Sequence, residues 1–298
     1  MLIKKLGEFG LINRFKKSIK TDSSVFKGSG DDCAVLRLGK FKYQLFTCDM
    51  LVAGIDFVPK ENPYLIGRKA LAVSLSDIAA CSGIPRYAIV SMGLPSNTSV
   101  GYIDRLFKGF NDLAKRFRVN IVGGDISRSK ELTIDVSLLG EVEKKKLVLR
   151  SGAKTRDIIF VSGSLGGSIK GKHLRFTPRL KEARLLTDNF KINSMIDISD
   201  GLAQDLGHIM EESRVGAVIY EDLIPLSKEC KDLNDALYSG EDFELLFTLA
   251  RKEASKILKK RLNIFTPIGE ITGKDLSLRL VDKKNSDRLI KPKGYRHF

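Results

Sequence analysis

The segment Met195-Ile-Asp-Ile-Ser-Asp-Gly-Leu-Ala-Gln-Asp205 decides the fold class, because an apolar pair leads into an acidic turn and then into a helical pattern. Asp197 and Asp200 flank the turn, and Ser199 can offer its hydroxyl there. The free N–H groups at the start of the following helix favour an anion. A capping aspartate is the ordinary interpretation of such a corner. Two aspartates three residues apart exceed what capping needs, so we predict a functional strand–helix corner.

Aspartates at the ends of apolar runs recur along the chain. They stand in Gly30-Asp31-Asp32, Thr47-Cys48-Asp49, Ser76-Asp77 and Gly123-Gly124-Asp125. Each motif is weak alone, although Asp77 lies inside an apolar predicted helix, where aspartate is a poor helix former. Carboxylates gathered at the edge of a core repel one another unless cations lie between them. Since Mg²⁺ prefers such oxygen ligands, often together with phosphates, the pattern predicts a Mg²⁺-dependent enzyme acting on phosphates.

The composition fits a globular protein of one large or two ordinary domains. The 298 residues are 43% hydrophobic and 8% aromatic, and no apolar run approaches the roughly 18 residues of a membrane span. The four cysteines are widely spaced, which argues against a zinc site or a disulfide framework. The first residues lack the pattern of a secretory signal. We therefore expect a cytoplasmic protein that does not enter membranes.

The net charge of +15 raises the possibility of nucleic-acid binding. The basic residues, however, are spread along the whole chain, and short clusters such as Lys144–Lys146 are not interleaved with stacking aromatics. A solvated lysine-rich surface is the simpler interpretation. Direct binding of nucleic acid is therefore not expected.

Strand and helix patterns alternate, which predicts an α/β (α+β) fold. The charged segment Glu141–Arg150 lacks helical periodicity and suggests two domains, 1–143 and 144–298. The predicted helices are Leu2–Lys20, Pro63–Ala80, Val100–Phe117, Leu180–Thr187, Gly201–Ser213 and Lys252–Lys260. The predicted strands are Cys33–Leu38, Tyr43–Thr47, Tyr87–Gly93, Val119–Val122, Leu132–Gly140, Asp157–Ser162, Gly216–Tyr220, Phe243–Leu249 and Leu276–Val281.

The segment Gly166–His173 nearly matches the phosphate-binding loop G-x-x-x-x-G-K-[ST], but His173 stands where the magnesium-binding hydroxyl should be. No nucleophile elbow is present, and the three histidines are scattered. An enzyme without an evident base needs a nucleophile that arrives ionised. A phosphate that attacks another phosphate meets that condition, because the protein then only aligns the groups and neutralises their charge.

Seven segments together resemble the thiamine-monophosphate kinase family across essentially the whole chain. These segments are Gly30–Leu36, Thr47–Val52, Lys69–Ala80, Gly123–Asp125, Arg150–Lys154, Asp197–Ile209 and Ser239–Leu246, and the C-terminal Lys293-Gly-Tyr-Arg-His-Phe298 completes the match. The family is related to aminoimidazole ribonucleotide synthetase and selenophosphate synthetase. The resemblance implies their two-domain α/β architecture and a homodimer in which the N-terminal domains pair. Residues 1–143 would bind metal and ATP and dimerise, and 144–298 would complete the ATP and substrate site.

The resemblance also implies the reaction and its residues. ATP would phosphorylate thiamine monophosphate to thiamine diphosphate with several Mg²⁺ ions, by direct in-line transfer and without a catalytic side chain. The implied metal ligands are Asp32, Thr47, Asp49, Asp77, Asp125, Asp197 and Asp200. The implied ATP contacts are Gly124, Asp125, Arg150 and Ser199, and the implied substrate contacts are Asp56, Glu241 and Tyr295.

Two departures and two alternatives stay open. Cys48 stands where the family usually has threonine, and Asp56 where histidine is common. Within the superfamily, another ATP-dependent phosphate-activating enzyme, such as aminoimidazole ribonucleotide synthetase, is the alternative. From another class, a basic nucleic-acid-binding protein would explain the charge but not the aspartates.

Overall fold

Two mixed β-sheets flanked by helices form the computed structural model, which describes residues 2–273, 275 and 277–297. The predicted α/β class is thereby confirmed. In each sheet one pair of strands is parallel and the other pairs are antiparallel. None of the helices in the described part of the chain combines the length and hydrophobicity that a membrane crossing requires.

The first sheet has the strand order β1-β2-β3-β6-β4-β5. Its strands are β1 (Val25–Lys27), β2 (Ala34–Leu38), β3 (Lys42–Val52), β4 (Ile84–Leu94), β5 (Asn120–Arg128) and β6 (Thr133–Glu143). Four helices belong to this half of the chain: α1 (Ile3–Leu6), α2 (Glu8–Ser18), α3 (Pro63–Ala80) and α4 (Val100–Phe117). Helix α3 packs on β3 and β6, and α4 packs on α3.

The second sheet has the strand order β13-β12-β9-β11-β7-β10-β8. Its strands are β7 (Asp157–Ser162), β8 (Ser194–Asp197), β9 (Ala217–Tyr220), β10 (Leu245–Ala250), β11 (Phe265–Ile271), β12 (Leu278–Val281) and β13 (Asp287–Ile290). The helices of this half are α5 (Lys172–Arg175), α6 (Leu180–Asn189), α7 (Leu202–Ser213), α8 (Leu233–Tyr238) and α9 (Arg251–Lys259).

Helices with clear local signals begin and end where the sequence predicts. Helix α3 starts with Pro63 after Asn62, whose side chain accepts a hydrogen bond from the Tyr64 N–H. Helix α4 starts after Ser99, whose hydroxyl oxygen accepts from the Tyr102 N–H. The first residue of each helix agrees with the prediction, because these caps act within the first turn.

Several predicted elements needed correction, and one falls partly outside the description. The strand predicted over Tyr43–Thr47 runs from Lys42 to Val52, so Asp49 lies inside a strand. The helix predicted over Leu2–Lys20 is broken at Gly7, whose φ of 72° ends α1 and precedes α2. Strand β5 continues to Arg128, so the Gly-Gly-Asp motif lies inside a strand instead of after one. The strand predicted over Leu276–Val281 is present as β12, and Leu276 lies outside the described residues.

Helix α3 joins the two halves of the molecule. Besides the first sheet, it contacts α5, α6 and β8 of the second half. One core cluster accordingly contains side chains from both halves, for example Leu71 with Phe160 and Phe247. Strand β6 ends at Glu143 before the 3₁₀ turn Lys144–Lys146. A boundary between residues 143 and 144 stays a prediction, because the two sheets share this core.

Candidate active site

Three aspartates from distant parts of the chain meet where α3 crosses between the two sheets. Asp32 precedes β2, Asp77 lies in the last turns of α3, and Asp197 ends β8. One carboxylate oxygen of each lies within 4.8 Å of the corresponding oxygens of the other two. The three residues, called the carboxylate cluster below, were all predicted as metal ligands.

Hydroxyl groups orient these carboxylates and the neighbouring Asp49. Thr47 donates a hydrogen bond to Asp77. Ser76 Oγ donates to Asp197 Oδ2 at 2.5 Å, and Ser74 Oγ donates to Asp49 Oδ2 at 2.7 Å. Sequence reasoning gave the two serines no role in the site. Their signal was visible, because Ser74-Leu-Ser-Asp77 is a polar alternation inside an otherwise apolar helix.

Burial and mutual repulsion make these carboxylates hard to ionise. Burial, together with the charge of Asp32, raises the pKa of Asp197 to about 7. Burial likewise raises the pKa of Asp49 to about 6, and Asp135 and Asp32 add to the increase. The pKa of Asp77 is raised well above its usual range by burial and by Asp49 and Asp197. A cation bound between these carboxylates would stabilise their ionised forms and so offset both the burial and the mutual repulsion.

Arg150 pairs directly with one member of this cluster. Its Nη2 and Nε donate to Asp32 Oδ1 at 2.7 and 3.2 Å, and its backbone N–H donates to Asp31 Oδ1 at 3.1 Å. The other oxygen of Asp32, Oδ2, is buried and has no hydrogen-bond partner among the described residues. A buried unpaired carboxylate oxygen is costly. The donor set, all hard oxygen atoms, therefore fits Mg²⁺.

Asp200 and Ser199 lie at the boundary between two cavities and line both of them. The larger cavity, of about 670 Å³, is also lined by Arg150 and by Phe9 and Lys16 of α2. It contains two of the predicted ATP contacts, Arg150 and Ser199. Burial raises the pKa of Asp200 to about 6, with a contribution from Glu8.

The smaller cavity, of about 340 Å³, brings together all three predicted substrate residues, Asp56, Glu241 and Tyr295. Asp49, which neighbours the carboxylate cluster, also lines this cavity. The smaller cavity therefore lies next to the cluster. One oxygen of Asp56 accepts from the Val52 N–H at 2.7 Å, so part of this carboxylate stabilises its own turn.

Sequence reasoning missed two polar residues of the smaller cavity, Glu61 and His173. His173 Nδ1 lies 2.9 Å from the Ser168 carbonyl oxygen, and its Nε2 lies 3.8 Å from Glu61 Oε1. No motif pointed to Glu61, which stands in the linker before α3. The sequence pattern marks His173 only as the residue that breaks a phosphate-binding motif.

Gly124 and Asp125 are not brought to the carboxylate cluster. Both lie on the edge strand β5 and are exposed. Thr47 and Asp49 of β3 face α3, so the alternate residue Met50 faces the opposite side of the sheet. Met50 pairs with Asp135 of β6, Asp135 with Ser91 of β4, and Ser91 with Asp125 of β5. Residues paired across strands in this way share one face of the sheet. Asp125 therefore lies on the outer face of the first sheet.

The phosphate-binding pattern at Gly166–His173 forms a loop that is already filled from within. The Gly166 N–H donates to both oxygens of Asp242 at 3.1 Å, and Ser168 donates to the same carboxylate. Lys172 Nζ lies 3.8 Å from Asp242 and 3.0 Å from the buried Glu244. Internal carboxylates thus take the donors that a P-loop offers to phosphate, which agrees with setting the P-loop aside for its missing hydroxyl.

Comparisons with known proteins agree with this architecture. Family models for the N-terminal and the C-terminal domain of AIR synthase related proteins match residues 30–142 and 136–281. The thiamine-monophosphate kinase of Buchnera aphidicola subsp. Schizaphis graminum is 36% identical, with 98% of each chain covered. That of Bacillus subtilis is 33% identical, with 98% of this chain and 100% of the relative covered.

Solved structures give the same result. AaThiL complexed with AMPPCP and TMP superposes with a TM-score of 0.86 at 32% identity, over 100% of this chain and 99% of that chain. The thiamine monophosphate kinase of Aquifex aeolicus gives 0.81 at 30% identity, over 98% and 100%. Hydrogenase maturation protein HypE in complex with ATP, at 18% identity and a TM-score of 0.73, shares the fold. The chain therefore belongs to the thiamine-monophosphate kinase family of AIR synthase-related enzymes.

Proposed function

We propose that this chain uses ATP to phosphorylate thiamine monophosphate, giving thiamine diphosphate and ADP. The observation that carries the proposal is the arrangement of two cavities beside one carboxylate cluster. The cavities share Ser199 and Asp200. Arg150, which pairs with Asp32 of the cluster, lines the larger cavity, and Asp49 lines the smaller one. Two phosphorylated molecules could thus present their phosphates to the same group of carboxylates.

The larger cavity suits ATP. Arg150 and Lys16 offer cationic donors for phosphate oxygens, and Phe9 offers an apolar aromatic surface. Ser199 supplies a hydroxyl close to the start of α7. A contact of ATP with Gly124 and Asp125 stays a prediction from the family resemblance, because both residues lie on the edge strand β5, away from the larger cavity.

The smaller cavity suits thiamine monophosphate. The thiazolium ring carries a permanent positive charge, and five carboxylates line this cavity: Asp49, Asp56, Glu61, Asp200 and Glu241. The ring of Tyr295 provides an aromatic face for a cation. The backbone N–H of Tyr295 donates to the Asp200 carbonyl oxygen at 3.0 Å, which fixes the C-terminal segment beside the cavity.

We further propose Mg²⁺ ions as the resident cations, since the hard oxygen donors and the unpaired Asp32 oxygen fit them. The ligands would be drawn from Asp32, Thr47, Asp49, Asp77, Asp197 and Asp200. Asp125 stays a ligand predicted from the family resemblance, because it lies on the outer face of the first sheet. When bound, the metal would neutralise phosphate charge and orient the two phosphates. Ser74 and Ser76 hold the carboxylates of Asp49 and Asp197 in place before any ligand arrives.

The transfer itself would be in line and would need no catalytic side chain. A phosphate oxygen of thiamine monophosphate forms a bond to the γ-phosphorus, and the bond to the oxygen bridging the β- and γ-phosphates breaks. The attacking oxygen is already ionised near neutral pH. His208, which lines the larger cavity, is a poor base, because burial and the nearby Arg150 lower its pKa to about 4.

A homodimer paired through the N-terminal domains is the assembly that we propose. The outer face of the first sheet exposes a group of large apolar side chains, and they belong to strands β3 and β4: Phe46, Met50, Tyr87 and Ile89. An exposed apolar patch of this kind is typical of a protein interface. A second copy would cover it, and Asp125 lies on the same face.

The proposed function is tested by measuring ADP release and thiamine diphosphate formation with purified protein, ATP and Mg²⁺. We expect one ADP per thiamine diphosphate, and no release when thiamine monophosphate is omitted. ADP release that does not depend on thiamine monophosphate would instead favour another phosphate-activating enzyme of the superfamily. Steeply salt-dependent nucleic-acid binding without ADP release would favour the basic binding protein.

A further inference from the structure

Lys69 of α3 is a completely buried lysine that connects two of the proposed substrate residues. Its side chain has no exposed surface. Its Nζ donates to the backbone carbonyl oxygen of Asp56 at 2.7 Å and to Glu241 Oε2 at 2.5 Å. Asp56 belongs to the first half of the chain and Glu241 to the second. The ammonium group therefore holds the two sides of the smaller cavity together.

A buried ammonium group needs charged and hydrogen-bonding partners, so its position is well defined. Glu241 is also constrained at its backbone, since its φ is +59° and its N–H donates to the Ser199 carbonyl oxygen at 2.7 Å. Among the described residues, Lys69 is the only side chain that hydrogen-bonds to the Glu241 carboxylate. This contact uses Oε2, and the residue lines the smaller cavity.

The position of Lys69 on α3 also relates the smaller cavity to the carboxylate cluster. Lys69, Val73 and Ser76 are four and three residues apart, so they share one face of the helix. Val73 lines the smaller cavity, and Ser76 donates to Asp197 of the cluster. One rigid helix thus fixes Glu241 at one end and Asp197 about two turns away.

We infer that Lys69 is a positioning residue for the substrate: it orients the Glu241 carboxylate and the turn that carries Asp56. This inference rests on the proposed function, because it assigns the smaller cavity to thiamine monophosphate. Lys69 acts through Glu241 and the Asp56 turn, whose geometry sets where the cationic half of the substrate lies. The distance between that half and the carboxylate cluster then decides whether the substrate phosphate reaches ATP.

The test compares Lys69→Met with the wild type in steady-state assays that vary each substrate separately. Lys69→Met removes the ammonium group but keeps an apolar chain of similar length. We expect the KM for thiamine monophosphate to rise at least about tenfold, while the KM for ATP stays within about threefold. A purely structural role would instead lower thermal stability and affect both substrates similarly.

Arg184→Met is the matched control. Arg184 also pairs with a carboxylate across the two halves, since its Nη1 and Nη2 lie 2.7 and 3.0 Å from the Glu143 oxygens. Neither residue lines the two cavities. We expect Arg184→Met to lower the melting temperature and to leave the KM for thiamine monophosphate within about twofold.

The double variant Lys69→Met/Glu241→Ala tests whether Lys69 acts through Glu241. Coupled residues are not additive, so its KM for thiamine monophosphate should not exceed that of the worse single variant by more than about twofold. If Lys69→Met does not fold, Lys69→Arg is tested instead, because it keeps the charge and shifts the hydrogen-bond donors. It should still raise the KM for thiamine monophosphate more than the KM for ATP.

An unchanged KM for thiamine monophosphate in a folded Lys69 variant would overturn the inference, and so would full additivity in the double variant. Failure of the wild type to consume thiamine monophosphate would instead overturn the proposed function. The two failures are therefore distinguishable.

Discussion

Magnesium should stabilise this protein much more at pH 8 than at pH 5.5. In the absence of metal, burial raises the pKa of Asp197 to about 7 and that of Asp31 to about 7. Both values lie above the usual 3.8, so between about pH 4 and pH 7 the folded protein binds more protons than the unfolded chain. The free energy of unfolding of the metal-free protein therefore falls as the pH rises through this window.

The magnitude follows from the shift of one carboxyl group. Moving the pKa of Asp197 from 3.8 to about 7 corresponds to ~4 kcal/mol against its ionised form. A cation binds the ionised carboxylate and therefore competes with the proton. If one proton must leave for the cation to bind, the affinity for the cation falls about tenfold for each pH unit below 7. From pH 7 to 5.5 this amounts to ~2 kcal/mol of lost stabilisation at a fixed Mg²⁺ concentration. For a chain of this size, that is roughly 4 °C in melting temperature.

The assay is thermal unfolding with and without saturating MgCl₂ at the two pH values. Asp197→Asn should lose most of the Mg²⁺-induced shift at pH 8. Asp242→Asn is the control, because burial raises the pKa of Asp242 to about 6, but its carboxylate accepts from Gly166 and Ser168 instead of facing the carboxylate cluster. An equal Mg²⁺ shift at both pH values, or a full shift in Asp197→Asn, would refute the reasoning.

Three further predictions concern the proposed kinase. Asp49→Asn and Asp125→Asn should each lose nearly all activity and keep the wild-type circular dichroism spectrum; wild-type turnover in either would contradict its assignment as a ligand. Unphosphorylated thiamine should be a very poor substrate, and His208→Ala should keep turnover within a few fold, because no base is needed; comparable turnover of the two acceptors would reveal one. Gly124→Ala should lower the melting temperature, because the added Cβ would lie 1.9 Å from the Val90 carbonyl oxygen of β4. Gly123→Ala should be tolerated, because the nearest atom to its added Cβ, on the Ile89 side chain, is 3.8 Å away.

The sequence alone determined the elements whose signals are local. The apolar periodicity and the capping residues of Pro63–Ala80 and Val100–Phe117 act within a few residues, so both helices were predicted with the observed bounds. The recurring aspartates also predicted a group of carboxylates, and Asp32, Asp77 and Asp197 do meet, whereas Asp125 does not join them. Their positions beside or within apolar segments carried that information, because burial of such a segment fixes where its polar neighbours lie.

Only the tertiary structure decided how distant segments complete each other. Glu241 stands 172 residues after Lys69, and no local pattern relates the two. The loop at Gly166 is filled by Asp242, which comes from another part of the chain, and its local glycine pattern does not display this partner. Asp125 lies on the outer face of its sheet because strand register, a property of pairing between strands, sets which side chains share a face. Interactions within a few residues specify helices and turns. The pairing of strands and the burial of charge depend instead on contacts between distant residues, which the linear sequence does not display.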